Sequence, residues 1–283
     1  MSSDWSSDVC SSDLGAFGGV SEYQRISDYD REAILETIVD QTGRRVPVFV
    51  GVTAVSMRST LHNVEQASRL GGDLLMVCSP HLGPMSRNAL FDYYKAIAEA
   101  SDLPIIVQDT GASSGSYDAE LIARLYHEID TVRYGKIEGG THFLVTMSRV
   151  KELVDDGFQI IGGGGGRHMI LILRQGVTAI MAGTYFLDIY SHVIQTYLAG
   201  DTEQAIDFYN KTVGPFVMMA SLGKRRIRKY VLKRRGIIDC DEPLFPCDEP
   251  PLDPLYVREL DWLLERIERT VEEYRTSARL TRA

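Results

Sequence analysis

An alternation runs through most of this chain and limits what it can fold into. Short, almost wholly apolar runs occur at Val46–Val52, Asp73–Cys78, Leu103–Gln108, Thr131–Ile137, Phe158–Gly162 and Val177–Gly183. A run that is apolar at nearly every position predicts a parallel strand covered on both faces. Between these runs lie segments with helical spacing of apolar residues: Arg31–Gln41, Thr60–Leu70, Asn88–Ala100, Ala119–His127, Phe143–Asp155 and Met169–Gln175. Strand and helix in strict turn is the pattern of repeated βαβ units. Gly71-Gly72, Asp102, Asp156-Gly157 and Gly176 each close a helix just before the next strand, the glycine-rich punctuation of helix C-termini. After Gly183 the alternation gives way to four predicted helices, Tyr185–Leu198, Thr202–Ala220, Lys224–Arg235 and Leu255–Ser277.

Two α/β architectures compete for this pattern, a doubly wound open sheet and a (β/α)8 TIM barrel. No Gly-rich dinucleotide fingerprint opens the first helix. The polar candidates fall at the C-terminal ends of several strands, where barrel enzymes place their sites. We therefore expect a barrel over residues 15–200 with a C-terminal helical extension over 201–283. The predicted strands number two fewer than a closed barrel needs, so the barrel is expected to be N-terminally truncated, lacking its first strand or strands. Residues 1–14, MSSDWSSDVCSSDL, repeat Ser-Ser-Asp without strand or helix periodicity. They resemble translated adapter sequence and are read as a non-native or disordered leader outside the fold.

Composition narrows the function. A net charge of −9 argues against a general nucleic-acid binder, which would carry a basic face. The basic run Lys224–Arg235 alternates with Ile227, Tyr230, Val231 and Leu232 at helical spacing, as a solvated face of an amphipathic helix does. Cys10, Cys78, Cys240 and Cys247 show no metal-ligand spacing, so reduced thiols, a cytoplasmic location and no metal or other cofactor are expected. No apolar stretch reaches the roughly 18 residues of a membrane span, and no membrane partner is expected.

Lys136 stands out among the polar residues. It lies inside the apolar run Val132–Ile137, where burying an ammonium is expensive. Desolvation there is expected to favour the neutral amine, a nucleophile toward carbonyls. The alternative is a strand-end lysine that reaches solvent or pairs with Glu138, which is two residues on and shares its face.

Beyond these patterns, Gly71-Gly72-Asp73, Cys78-Ser79-Pro80, Tyr94-Lys95-Ala96-Ile97-Ala98, Leu103-Pro104-Ile105-Ile106 and Gly135-Lys136-Ile137-Glu138-Gly139-Gly140 resemble, in order, the dihydrodipicolinate synthase/N-acetylneuraminate lyase family of class I aldolases. The resemblance spans roughly residues 15 to 265. It implies a (β/α)8 barrel, a homo-oligomer (tetramer or dimer), and a pyruvate-type 2-oxo acid held as a Schiff base on Lys136. It also implies departures. The carboxylate-binding turn, G-T-T-G-E in the family, corresponds to Gly18-Gly19-Val20-Ser21-Glu22; without the threonine hydroxyls, the backbone amides of Gly19, Val20 and Ser21 are left to hold the carboxylate, the alternative being a simple tight turn. Gln108 stands where the family has its catalytic tyrosine, and His81 stands near its relay tyrosine. Gln108 hydrogen-bonds but does not shuttle a proton as a phenol does. Glu138, then His81, then a water are the replacements considered.

The arrangement resembles most the 2-keto-3-deoxy sugar acid dehydratases within this family, and an aldolase remains open. Two other readings remain: a non-catalytic binding barrel, and an enzyme whose Gly162–Gly166 run, Gly163 included, cradles a substrate phosphate. The bland reading of that run is close backbone packing.

Overall fold

The computed structural model describes residues 13–80, 83, 85–110, 117–138, 140–220, 224–247 and 249–281. His81 and residues 1–12 of the expected leader lie outside the described residues. The strands are β1 (Leu14–Ala16), β2 (Val48–Gly51), β3 (Leu74–Val77), β4 (Ile105–Asp109), β5 (Val132–Ile137), β6 (Gln159–Gly162) and β7 (Ala179–Ile180). The first six helices are α1 (Asp28–Thr42), α2 (Met57–Leu70), α3 (Arg87–Ala98), α4 (Ala119–Glu128), α5 (Phe143–Leu153) and α6 (Met169–Arg174). They are followed by α7 (Leu187–Leu198), α8 (Thr202–Lys211), α9 (Val213–Ala220), α10 (Lys224–Arg234) and α11 (Pro254–Thr281).

The sheet order is β1-β2-β3-β4-β5-β6-β7, the same as the chain order, and the pairs from β1 through β6 are parallel. A doubly wound sheet reverses its order at a switch point; this sheet never does, and its winding is that of a barrel. Among the described residues seven strands are assigned where six were expected. The additional one, β1, opens at Leu14, the last residue of the stretch set aside as a leader, and pairs with Val48–Val50. No eighth strand is assigned among the described residues.

Cα packing divides the chain into two compact units, one of Met1–Gly163 with Val177–Ala179, the other of Gly164–Gly176 with Ile180–Ala283. In the first, β2 and β4 are buried at every position, which is why their sequences show no alternation. Helices start on side-chain caps: Ser27, Ser56, Ser86 and Asp118 accept from the amides of Asp30, Ser59, Ala89 and Leu121. Such caps satisfy donors that a helix leaves unpaired, each contributing about 1 kcal/mol. Gly43 and Gly71 close α1 and α2 in the left-handed conformation, where a Cβ is strained. Asp73 ties β3 to β2 by accepting from the Val48 amide at 2.8 Å.

In the second unit, Phe186 and Phe216 meet edge to face at 4.7 Å within a core that includes Tyr190, Phe208, Leu260 and Leu264. The Glu249 carboxylate accepts from the Arg225 and Arg226 amides, at 2.9 and 3.2 Å, and so caps α10 with a negative charge at its positive end. No helix among the described residues is long and apolar enough to cross a membrane.

Candidate active site

The site grows from sheet register. In a parallel ladder, residues paired across strands point their side chains to the same face. Gln108 pairs with Lys136, and Lys136 with Ile161. On the other side Val77 pairs with Val107, so Cys78, one residue on, stands level with Gln108. Cys78 in turn is joined to Thr53: its amide donates to Thr53 Oγ1 at 2.9 Å, and that hydroxyl donates to the Cys78 carbonyl at 3.1 Å. A single row thus runs Thr53, Cys78, Gln108, Lys136 across the C-terminal ends of four strands.

Lys136 is 8% exposed and Gln108 7%. Lys136 Nζ lies 2.8 Å from Glu138 Oε1, and Gln108 Nε2 donates to the same oxygen at 2.9 Å. Both alternatives read from the sequence therefore meet in one arrangement, a buried lysine that is also paired. A buried ammonium without a partner is strongly disfavoured; Glu138 supplies the counter-charge, and Gln108 fixes its orientation. The pair is also what proton exchange requires, because a carboxylate in contact with the ammonium can take the proton that must leave before the amine attacks.

Gly163 explains the first part of the glycine run. A Cβ at Gly163 would sit 2.7 Å from the Glu138 carboxyl carbon and 2.8 Å from its Cβ, closer than real side chains approach. The missing side chain is the space that the carboxylate occupies. A carboxylate here is a poor neighbour for a substrate phosphate, so the geometry favours the packing reading of Gly163. Farther along, Tyr190 donates to the Gly165 carbonyl at 3.1 Å, and Tyr209 donates to Gly166 and Arg167 carbonyls at 3.1 and 2.8 Å. Those hydroxyls pin the rest of the run within the second unit.

Gly19, Val20 and Ser21 form a 3-10 turn after β1. The Ser21 amide donates to the Gly18 carbonyl at 2.9 Å and is used inside the turn itself, whereas the sequence reading assigned it to a carboxylate. Val20 is exposed. A second short turn, Tyr23–Arg25, follows.

Sequence reasoning passed over Tyr23 and Thr53. The Lys136 charge acts on the Cys78 thiol and opposes the rise that burial gives it. Burial raises the Cys78 thiol above its usual range, raises Tyr23 likewise, and pushes Tyr93 up to about 12. These groups therefore stay protonated at neutral pH. Asp109 ends β4 and is buried. Among the described residues no group of three or more His, Cys, Asp or Glu is placed to hold a metal ion.

The sequence matches the Dihydrodipicolinate synthetase family over residues 10–254. It is 27% identical over 254 residues to an L-2-keto-3-deoxyarabonate dehydratase of Azospirillum brasilense, covering 87% of this chain and 81% of the relative. Among solved structures, the 4-hydroxy-tetrahydrodipicolinate synthase of Methylacidiphilum fumariolicum SolV superposes with a TM-score of 0.82 at 21% identity, over 92% of this chain and 85% of the other. A prophage protein of the dihydrodipicolinic acid synthase family from E. coli K12, solved in complex with pyruvate, superposes with a TM-score of 0.76 at 20% identity, over 90% and 87%. At these identities the structures establish the fold alone.

Proposed function

The chain belongs to the dihydrodipicolinate synthetase family of lyases, and from that premise we propose that it holds a pyruvate-type 2-oxo acid as a Schiff base on Lys136 and dehydrates a 2-keto-3-deoxy sugar acid. The observation that carries the proposal is the buried Lys136–Glu138 pair at 2.8 Å, with Gln108 on the same carboxylate oxygen.

The chemistry follows from the groups present. Glu138 takes a proton from Lys136, and the amine adds to the C2 carbonyl of the 2-oxo acid. Loss of water leaves an iminium, whose positive charge draws electrons from C3 and acidifies its protons. Glu138, once again a carboxylate, is placed to take a C3 proton, which leaves an enamine with its double bond at C2–C3. As the nitrogen lone pair re-forms C=N, the C2–C3 pair shifts into C3–C4 and the C4–O bond breaks. Protonated Glu138 gives its proton to the departing hydroxyl, which leaves as water. Hydrolysis of the imine then frees the lysine. No carbon–carbon bond breaks, which separates this course from retro-aldol cleavage. The dehydratase relative supports the substrate class. We propose a homo-oligomer, as the family resemblance implies.

Borohydride trapping tests the proposal. Pyruvate and a 2-keto-3-deoxy pentonate are offered separately, with intact mass and peptide mapping as readouts. The expected result is a reduced adduct on Lys136 from both, and turnover of the pentonate without an aldehyde fragment. Absence of any adduct on folded protein would remove the Schiff-base reading; an aldehyde fragment would reassign it to an aldolase.

A further inference from the structure

The turn after β1 is held in place by a buried charge that the chemistry above does not use. Two non-glycine residues, Phe17 and Glu22, bracket Gly18–Ser21 in the left-handed conformation, at φ 58° and 55°, and both are buried. That conformation is costly for residues other than glycine and persists only where the surroundings over-determine it. Two neighbours do so at Phe17. A Cβ at Gly51 would lie 2.9 Å from the Phe17 carbonyl carbon, so the chain leaving β1 packs directly on the bare backbone of β2. Over the Phe17 ring lies the guanidinium of Arg31, 3.9 Å from the centroid, and its Nη2 donates to the Gly51 carbonyl. Arg31 thus ties α1, which follows the turn, to the residue that precedes it and to the strand beside it.

We propose that Arg31 is a positioning residue for substrate binding, holding the Gly18–Ser21 turn as a wall of the 2-oxo acid site. The proposal rests on the Schiff-base reading above and extends it to how the ligand is seated before it reacts. The turn borders the row that carries Lys136. A Cβ at Gly18 would lie 3.4 Å from Met76 Cε, and Met76 shares the inward face of β3 with Cys78, two residues on. At Gly19 a Cβ would meet nothing within 4 Å, so the turn gives onto open space there. Arg31 itself touches no reacting atom; its contacts are with Phe17 and Gly51, and it acts through them.

Filling space does not call for an arginine here. Arg31 is 4% exposed, and its Nε has no hydrogen-bond acceptor among the described residues. Burial lowers the guanidinium to about 10, as expected of a charge kept out of water at a cost. Buried charged groups can often be replaced by apolar side chains of similar volume without loss of stability. What the guanidinium adds is direction. A planar fork stacks on the ring and donates to the carbonyl at once, which fixes Phe17 relative to Gly51. An aliphatic side chain would keep the packing and release the turn.

The experiment is borohydride trapping over a range of pyruvate concentrations, which gives the half-saturating concentration and the saturated rate for wild type, Arg31→Met, Arg31→Lys and Phe17→Leu. Arg31→Met is expected to raise the half-saturating concentration about tenfold, the effect of one lost hydrogen bond to a charged group, and to lower the saturated rate by less than about threefold. Arg31→Lys, which returns a charge to the ring, is expected to recover most of that loss. A residue that only packs would instead lower the melting temperature and the trapped extent, at an unchanged half-saturating concentration. If Arg31→Met does not fold by thermal melting, Phe17→Leu decides. It keeps the apolar bulk, takes the ring from under the guanidinium, and is expected to raise the half-saturating concentration about threefold. A wild-type half-saturating concentration in folded Arg31→Met, or in Phe17→Leu where that variant decides, overturns the proposal and leaves the Schiff-base reading intact. No adduct on wild type removes both.

Discussion

Replacing Gly163 by alanine tests how the site is held. The added methyl would lie 2.7 Å from the Glu138 carboxyl carbon, where ordinary contacts begin at 3.4 Å. The carboxylate must therefore retreat by on the order of 1 Å, the scale at which misplaced groups cost about 100-fold in rate, or about 2.7 kcal/mol of activation free energy. It is not free to retreat, since Lys136 and Gln108 hold Oε1 at 2.8 and 2.9 Å. Any retreat lengthens one contact or both. Overpacking is expected to lower stability by about 1–3 kcal/mol as well. The assay is turnover of a 2-keto-3-deoxy pentonate at 25 °C, beside thermal melting of the same variant. We expect turnover to fall about 100-fold in a protein still folded at the assay temperature. Turnover within about threefold of wild type would show that Glu138 has no need of that position, and the account of Gly163 would be wrong.

Further outcomes can be checked in parallel. Glu138→Gln keeps the shape but cannot accept a proton, so pentonate turnover should fall at least about 100-fold while borohydride still traps Lys136, more slowly. Gln108→Ala removes one buried hydrogen bond to a charged group, about 1.5–3 kcal/mol of stability, and should lower the melting temperature while reducing turnover about tenfold or more in the protein still folded. Tyr209→Phe leaves the Gly166 and Arg167 carbonyls without that hydroxyl and should destabilise by about 1–3 kcal/mol in denaturant titration. The Lys211 ammonium and the Tyr274 hydroxyl hold the Asp207 carboxyl below the usual aspartate range. A depressed carboxyl stabilises the fold above its unfolded value, about 3.9, and that contribution is lost as pH falls through the lower folded value. Asp207→Asn should therefore melt below wild type at neutral pH and converge with it in strong acid.

Strands buried on both faces advertise themselves, so β2 through β6 were legible as apolar runs. β1 was not, because three residues, one of them Gly15, make no run; only pairing with Val48–Val50 reveals it. The segment Thr202–Ala220 reads as one helix but is two. Pro215 lacks the amide that a continuous helix would use and crowds the preceding turn, and the chain breaks at Thr212, whose hydroxyl turns back to the Phe208 carbonyl at 2.6 Å. In the site, Lys136 and Glu138 were visible because charge within an apolar strand is costly and therefore conspicuous. The Thr53–Cys78 link was invisible, since it forms only when the chain beyond β2 meets the end of β3.

The row that carries Lys136 is made by the backbone ladder of β3, β4 and β5. A one-residue slip in any of these strands would turn its side chain to the opposite face, so the chemistry cannot be lost in small increments of strand movement. Hydrogen exchange should accordingly find the amides of Val107, Gln108 and Lys136 among the slowest of the chain, opening only with the whole unit. The reactive lysine then inherits the cooperativity of folding itself: heat should abolish imine formation and the sheet at one temperature.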